Sequence, residues 1–302
     1  MKIYIPYHST HAGHWIYEGY KNAWEALGYD VEYIKDESDF LKSTPSEYKV
    51  MLTETPLFNK VEGIYDFIEK AQKVYMFVQP NNFPDPWGAH PNFISHSSDK
   101  VINTLNELDN VYLWSFTNSK NSSYYDRWKG VHYIPLAFDD VAYQPIQDKE
   151  YEYDICYIGG LANNGFNEKS LIMQDYFHEL SQIGIKLGVS INQNISLEQE
   201  AKLLYNSKIA INLHDNYQHI LGLDSNERTF KSLGLNGFLI SDNVKEVGNL
   251  FPDVPLAKSS TNMCELVERY LEKDLTLEKE SNRDLILQKH TYKNRVEKFL
   301  TL

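Results

Sequence analysis

The chain has 302 residues, of which 42% are hydrophobic, and this length favours two domains with substantial cores. Its formal net charge of −13 argues against non-specific attraction to nucleic acid or to an anionic membrane. No apolar run is long enough for a membrane span, the first residues predict a strand and not a signal peptide, and both cysteines lie in apolar patterns typical of buried free thiols. We therefore expect a cytoplasmic protein without stable membrane insertion.

The first half of the chain alternates between strand and helix patterns. Strands are predicted at residues 2–6, 30–34, 49–53, 74–78, 111–116 and 131–135, and helices at 15–27, 61–71, 101–108 and 119–128. The first strand, helix and second strand form a βαβ unit of the kind found in doubly wound parallel sheets.

A polar connector at residues 138–152 precedes a second half with the same alternation. Strands are predicted there at 153–158, 185–189, 208–213, 237–240 and 254–256, and helices at 168–183, 197–205, 261–273 and 277–300, the last broken or bent near His290 and Thr291. The sequence therefore predicts an α/β fold with two domains, residues 1–140 and residues 151–290, each built on parallel strands.

Residues 226–243 combine a polar loop, a short helix, a glycine turn and a buried strand. Asn226 or Thr229 is expected to cap the helix. Free backbone N–H groups and the helix dipole favour an anion at the helix N-terminus, and Arg228 adds a fork of donors suited to phosphate. The alternative interpretation is that Glu227 and Arg228 are solvated first-turn charges.

Ligands of doubly wound sheets bind beyond the carboxyl ends of the strands. This rule selects the loops at 7–14, 79–92, 159–167 and 214–228. Gly159 and Gly160 directly follow a strand, so they either let bare backbone approach a phosphate or form a plain tight turn. His214 either bonds a sugar hydroxyl or phosphate, or is a strand-end histidine satisfied by the backbone.

Three histidines, His8, His11 and His14, recur at three-residue steps in the first of these loops. No acidic or cysteine ligand lies among them and H-E-x-x-H is absent, so no metal site is predicted. A general base or a substrate hydrogen-bond partner suits a histidine at a strand end, because its pKa lies near neutrality. The alternative interpretation is that each of the three is a solvated histidine of the loop.

Four segments of the second half occur in an order that resembles a known family. They are residues 153–160 (YDICYIGG), 204–214 (LYNSKIAINLH), 228–240 (RTFKSLGLNGFLI) and 290–295 (HTYKNR). Together they resemble the C-terminal half of the spore-maturation-type glycosyltransferases, relatives of the group 1 glycosyl transferases. The resemblance implies the GT-B fold, in which two Rossmann-like domains face each other across a cleft. It also implies a terminal helix, residues 291–302, that packs back on the N-terminal domain.

By this resemblance, the chain transfers a hexose or related sugar from a nucleotide-diphosphate-sugar, most commonly a UDP-sugar, without metal or other cofactor. The donor would lie on the C-terminal domain and the acceptor on the N-terminal domain. The implied donor-binding residues are Gly159, Gly160, His214, Asn226, Glu227, Arg228, Thr229, Asn236 and Gly237. The implied catalytic residues are His14, His11 and Arg228, and the acceptor-side residues are His8 and Gln79.

One position departs from the family pattern. Relatives often carry glutamate directly after the Phe of R-T-F, where it is expected to hold the donor ribose, whereas this chain has Lys231. Glu227 or Asp224 is a possible substitute. Lys231 itself either adds positive charge near the diphosphate or faces solvent.

Two other functions fit the same fold. A nucleotide-sugar epimerase would need a pair of acid and base carboxylates, and no convincing pair stands out. A non-catalytic nucleotide-sugar-binding protein would need only the ligand site. For a transferase, the acceptor is open between a glycan, a protein, a small molecule and a modified DNA base. The acidic balance and the scattered Lys and Arg residues weigh against DNA.

Overall fold

The structure is a computed structural model that describes residues 2–8, 11–35, 48–53, 64–85, 97–118, 123–161, 168–193 and 195–302. The chain divides into two compact units, one formed by Met1–Pro135 with Arg295–Leu302 and the other by Leu136–Asn294. The polar connector at 138–152 belongs wholly to the second unit. Asn206 fixes it there, because its side chain accepts from the Asp148 N–H at 2.8 Å and donates to the Ile146 carbonyl at 2.7 Å.

The described residues of unit 1 contain a six-stranded parallel sheet in the order β2-β1-β3-β4-β5-β6. Its strands are β1 (Lys2–Pro6), β2 (Asp30–Ile34), β3 (Tyr48–Thr53), β4 (Lys73–Phe77), β5 (Val111–Ser115) and β6 (His132–Tyr133). Its helices are α1 (His11–Ala26), α2 (Ile64–Lys70) and α3 (Asp99–Glu107), with a 3-10 turn at Ser123–Tyr125. Central strands buried on both faces explain the nearly continuous apolar runs in the sequence.

The last residues of the chain complete the core of unit 1. Phe299 is fully buried, with its ring centroid 4.9 Å from that of Tyr75 and 5.1 Å from that of Trp114. Arg295 donates from Nε to the Pro135 carbonyl at 2.8 Å. These contacts explain why residues 295–302 belong to unit 1, although the rest of helix α11 (Tyr292–Leu300) lies in unit 2.

Unit 2 is a five-stranded parallel sheet in the order β11-β10-β9-β7-β8. Its strands are β7 (Ile155–Gly159), β8 (Leu187–Ile191), β9 (Ile209–Asn212), β10 (Leu239–Asp242) and β11 (Leu256–Ala257). Its helices before α11 are α4 (Lys169–Gln182), α5 (Leu197–Asn206), α6 (Asn216–Leu221), α7 (Glu227–Leu235), α8 (Lys245–Leu250), α9 (Ser260–Leu271) and α10 (Thr276–Lys289). Because β7 and β9 are neighbours, the loops after them meet at one edge of the sheet.

The break or bend predicted near His290 and Thr291 is a break, because the C-terminal segment forms two helices, α10 and α11, separated at these two residues. The backbone of Phe138 causes the break. Its N–H donates to the His290 carbonyl at 2.9 Å, and its carbonyl accepts from the Tyr292 N–H at 3.0 Å. These backbone groups are therefore bonded across the chain and not along a continuous helix. None of the described helices combines the length and apolar character of a membrane-spanning helix.

Candidate functional site

Arg228 lies directly over the end of strand β7. A methyl group on Gly159 would come 2.5 Å from Nη2 and 2.7 Å from Cζ of the Arg228 guanidinium, so only glycine allows this approach. Cζ also lies 4.8 Å from the centroid of the Tyr157 ring, within cation–π range. The Arg228 side chain, which the sequence predicts to bind an anion, thus fills the space next to the Cα atom of Gly159.

Two of the contacts of Arg228 fix its side chain and leave most of its donors available. Nη1 donates to the Asn212 amide oxygen at 3.0 Å and to the Leu213 carbonyl at 3.1 Å. Nε and Nη2 form no hydrogen bond with any residue that the structure describes. A half-buried guanidinium held on one side, with donors left on the other, is suited to bidentate binding of an anion.

The N-terminus of α7 is tied to the end of β9. Asn226 is the helix cap, as its side-chain oxygen accepts from the Thr229 N–H at 3.2 Å. Asn212 donates from Nδ2 to that same Asn226 oxygen at 2.9 Å and to the Thr229 hydroxyl at 2.8 Å. Thr229 is fully buried, so it supports the helix start from within. The free N–H groups of the first turn are thereby held at the edge of the sheet.

His214 lies in the interior of unit 2, and its ring is not accessible to a ligand. It is fully buried, and its N–H and Nδ1 both lie 2.5 Å from carboxylate oxygens of Asp242. The His219 Nε2 contacts the same carboxylate at 3.0 Å. Burial disfavours the Asp242 anion, but the two histidines outweigh it and hold the pKa of Asp242 below its usual range. Burial lowers the pKa of His214. The expected hydrogen bond from His214 to a sugar or phosphate is therefore replaced by an internal network.

Lys169 is a second cation at this edge, and it is not among the site residues predicted from the sequence. It opens helix α4, is 4% exposed, and donates from Nζ to the Leu213 carbonyl that also accepts from Arg228. Burial, together with the charge of Arg228, lowers the pKa of Lys169 to about 8. The signal in the sequence is a lysine in the first turn of a helix, where the helix dipole disfavours a cation.

Lys231 neither faces solvent nor stands as a free charge. It is 7% exposed and donates to the Glu200 carboxylate at 3.0 Å and to the Tyr143 hydroxyl at 2.9 Å. The Tyr143 hydroxyl in turn donates to the other oxygen of Glu200 at 2.6 Å. The lysine at the position of the family's glutamate is thus neutralised inside unit 2, and the expectation that it faces solvent is wrong.

The end of α7 is used for packing. Asn236 is fully buried and donates to the carbonyls of Leu204 and Ser207 at 2.8 and 2.6 Å. Gly237 has φ of +84°, and a side chain there would meet the backbone of Lys279. These two residues lie roughly 12 Å along the helix axis from Arg228, given a rise of about 1.5 Å per residue. The structure therefore does not bring Asn236 and Gly237 together with the other donor-site candidates.

The remaining donor-site candidates, Gly160 and Glu227, lie at the edge with Arg228. Gly160 follows β7, where an added methyl group would meet only the Asn192 side chain at 3.6 Å. Glu227 is the first residue of α7 and is half-buried. Burial raises the pKa of Glu227, while the nearby charge of Lys231 opposes the shift.

In unit 1, helix α1 begins at His11 and not at Trp15, so His14 lies in the first turn of a helix and the prediction of a loop up to His14 is wrong. His14 places Nδ1 3.0 Å from the His8 carbonyl. A carbonyl only accepts, so Nδ1–H donates to it, and in this tautomer Nε2 is an acceptor without a hydrogen-bond partner among the described residues. His8 stacks on Tyr17 with centroids 5.1 Å apart and an interplanar angle of 6°. The His11 side chain lies outside the described residues.

Gln79 follows strand β4, and its backbone carbonyl accepts from the Trp128 indole N–H at 3.1 Å. Over the described part of the chain, no cluster of three or more His, Cys, Asp or Glu residues has a metal-binding arrangement.

The sequence matches the model of the glycosyl transferase-like family over residues 145–301, slightly more than half of the chain. This region contains the strands and helices that hold Arg228 and Lys169. No curated protein matches the chain at a significant level.

Several solved structures share the fold over nearly their whole length. T4 phage BGT in complex with its UDP-glucose substrate is 10% identical, with a TM-score of 0.60 over 100% of this chain and 98% of that one. An alpha-glucosyltransferase in complex with UDP and a 13-mer DNA containing an HMU base is 11% identical, with a TM-score of 0.60 and the same coverage. AviGT4, a glycosyltransferase involved in avilamycin A biosynthesis, is 11% identical, with a TM-score of 0.54 over 99% of this chain and 96% of that one.

Proposed function

Because this chain belongs to the glycosyl transferase-like family and has the GT-B fold, it is a glycosyltransferase, and we propose that its donor is a UDP-sugar bound at the edge of unit 2. The sugar is proposed to be glucose or a related hexose. Neighbours of the same fold, such as T4 phage BGT, are described in complex with UDP-glucose or UDP. The four segments quoted from the second half support a place within the spore-maturation-type branch of these enzymes.

The position of Arg228 over Gly159 carries this proposal. Two of its nitrogen atoms have no hydrogen-bond partner among the described residues, and they lie beside the N-terminus of α7. A diphosphate at this edge would meet the guanidinium, the helix N–H groups and the charge of Lys169. Charge develops on the diphosphate as the bond to the sugar breaks, so fixed donors here lower the barrier to transfer. We propose that transfer proceeds without a metal ion, since these donors take the role of a cation at the diphosphate.

We assign the role of general base to His14. Its Nδ1 is held by the His8 carbonyl, which leaves the Nε2 lone pair to accept the proton of an acceptor hydroxyl. The oxygen then attacks the anomeric carbon, the bond from that carbon to the diphosphate breaks, and the electron pair leaves with UDP. The two cysteines are buried and unpaired, which supports the proposal of a reducing, cytoplasmic setting.

The test is a thermal-shift screen against nucleoside diphosphates, followed by measurement of UDP release from UDP-sugars. A ligand at 100 times its Kd should stabilise the folded protein by about 2.7 kcal/mol. Arg228→Ala is expected to slow transfer by at least about 100-fold, and Arg228→Lys to restore only part of the rate, because lysine lacks the fork of donors.

The same measurements distinguish the alternative functions. Binding of UDP without sugar transfer to any of the acceptors tested would favour the non-catalytic binding protein. Interconversion of the sugar on UDP would favour the epimerase.

A hydroxymethylated base in DNA is a further candidate acceptor, beside glycans, proteins and small molecules. The full-length similarity to an alpha-glucosyltransferase described with HMU-containing DNA favours it, whereas the net charge of −13 weighs against it. Transfer assays with duplexes carrying hydroxymethyl pyrimidines, run beside unmodified duplexes, decide the question. For a DNA acceptor, apparent affinity should fall steeply with salt concentration.

A further inference from the structure

The side-chain amide of Asn212, the last residue of β9, connects Arg228 to the start of α7. Its oxygen Oδ1 accepts from Nη1 of Arg228 at 3.0 Å and from Nδ2 of Asn226 at 3.2 Å. Its nitrogen Nδ2 donates to the Asn226 oxygen at 2.9 Å and to the Thr229 hydroxyl at 2.8 Å. Asn212 is fully buried, so it acts on a ligand only through the groups that it holds.

The cap of α7 sets one constraint on the orientation of this amide. A backbone N–H only donates, so the Asn226 atom that lies 3.2 Å from the Thr229 N–H is its oxygen. The same oxygen faces Asn212, which therefore turns Nδ2 and not Oδ1 toward Asn226. The Asn212 oxygen is left for Arg228, whose nitrogen atoms are all hydrogen-bond donors.

A buried histidine imposes the same orientation on Asn212 from another side. His214 places Nε2 3.4 Å from Nδ2 of Asn212 and 3.3 Å from the Ser225 hydroxyl. Nδ1 of this ring faces the Asp242 carboxylate, which only accepts, so Nδ1 carries a proton. Burial lowers the pKa of His214 and favours the neutral ring. Nε2 of the neutral ring is then an acceptor, which Asn212 meets only with its NH2 group.

We infer that Asp242 and His214 are positioning residues for the binding of the donor diphosphate, and that they act through the amide of Asn212. Asp242 fixes the tautomer of His214, and His214 presents an acceptor to Asn212. Asn212 then presents its own acceptor to Arg228, which leaves Nε and Nη2 of the guanidinium for the ligand. The inference rests on the proposed function, since it assumes that the diphosphate lies against Arg228.

The substitution Asp242→Asn reverses the tautomer and keeps the size of the side chain. The backbone N–H of His214 donates to the Asp242 carboxylate and still needs an acceptor, so the amide oxygen takes that place. The NH2 group then faces Nδ1, and the ring takes the Nε2–H tautomer. Two hydrogen-bond donors now face each other between His214 and Asn212. Asparagine in place of the aspartate that orients a histidine selects the wrong tautomer in serine-protease triads as well.

UDP affinity, measured by calorimetry, should fall by about tenfold or more in Asp242→Asn, as for the loss of a charge-assisted hydrogen bond. Electrostatics alone predicts the opposite sign, because the variant loses a negative charge that acts on Lys169, and this loss favours an anionic ligand. Made in Arg228→Ala, the same substitution should change UDP affinity by no more than about twofold, since no guanidinium remains there to be positioned.

Nitrogen NMR of the histidine rings measures the tautomer directly and needs no ligand. His214 should carry its proton on Nδ1 in the wild type and on Nε2 in Asp242→Asn. Asp139→Asn is the matched control, because Asp139 is another buried aspartate of unit 2, and its carboxylate accepts from the Val141 and Ala142 N–H groups. It should bind UDP no more weakly than the wild type and keep the Nδ1–H tautomer.

Three outcomes in a folded Asp242→Asn variant overturn the inference and leave the donor site intact. They are an unchanged or higher UDP affinity, an equal loss of affinity in the Arg228→Ala background, and a His214 ring that keeps its Nδ1 proton. If circular dichroism shows that the variant is unfolded, Asn212→Ser replaces it, and its loss of UDP affinity should likewise depend on Arg228. Failure of the wild type to bind any nucleoside diphosphate is a separate outcome and overturns the proposed donor itself.

Discussion

Arg228 occupies the space that a side chain on Gly159 would need, with Nη2 2.5 Å and Nε 2.9 Å from the position of an added methyl group. The glycine at the end of β7 and the arginine at the start of α7 therefore form one unit, although 68 residues separate them along the chain. The glycine admits the guanidinium, and the guanidinium brings its charge to the edge of the sheet.

Gly159→Ala should displace the Arg228 side chain without disturbing the fold. The backbone at Gly159 is outside the left-handed region, so alanine is tolerated there, and the clash falls on the guanidinium. UDP affinity should fall by about tenfold or more, as for loss of a charge-assisted hydrogen bond. The same substitution made in Arg228→Ala is the control, because no guanidinium remains there to be displaced, and it should not weaken UDP binding further. An equal loss of affinity in both backgrounds would contradict the prediction.

UDP affinity should decrease with rising pH because of Lys169. Its pKa of about 8 in the free protein means that the ammonium loses its proton above this pH, whereas a bound diphosphate favours the charged form. Binding then takes up a proton, and affinity falls by up to about tenfold per pH unit above 8. The terminal phosphate is already ionised there, since its own pKa is about 6.

Lys169→Arg provides the control for this titration. Arginine remains charged throughout the range, so the decline in UDP affinity between about pH 8 and pH 10 should be absent in this variant. Calorimetry across this range, in buffers of different ionisation enthalpy, counts the proton taken up. A wild-type affinity that is constant up to pH 10 would show that Lys169 does not act on the diphosphate.

His14→Ala should slow transfer while leaving donor binding intact. Loss of a general base lowers the rate by about 100-fold to 10,000-fold. The Kd for UDP should stay within about twofold of the wild-type value, because the donor residues of unit 2 are unchanged. His132→Ala, at an exposed histidine of β6, should retain full activity. A parallel loss of UDP affinity in His14→Ala would instead place His14 among the donor-binding residues.

Lys231→Met should destabilise unit 2 by leaving Glu200 buried without its cation. Breaking one side of a buried ion pair costs about 3–5 kcal/mol. Adding Glu200→Gln to this variant should recover part of the loss, because the remaining amide no longer carries an unpaired charge. Urea unfolding followed by tyrosine fluorescence measures both variants. Additive losses in the double variant would contradict the pairing of Lys231 with Glu200.

Much of the local structure was predictable from sequence, because it depends on neighbours in the chain. The capping box of α5 has Ser196 and Gln199 three residues apart, and the structure has both of its hydrogen bonds, at 3.2 and 2.9 Å. The Asn226 cap and the position of Arg228 at a helix start follow from the same kind of short-range pattern. The two α/β sheets follow from the alternation of apolar segments.

The tertiary structure alone decided which of these polar residues meet. Lys169 reaches the carbonyl after β9 only because β9 lies next to β7 in the sheet, an order that no local pattern encodes. Lys231 finds its partner Glu200 on another helix, and His214 is enclosed by Asp242 from the neighbouring strand. The sequence determined by itself the helix start that presents Arg228, since a cap and a first turn are local. Which charges are left free for a ligand there depends on contacts between distant segments, because burial and pairing are properties of the folded chain.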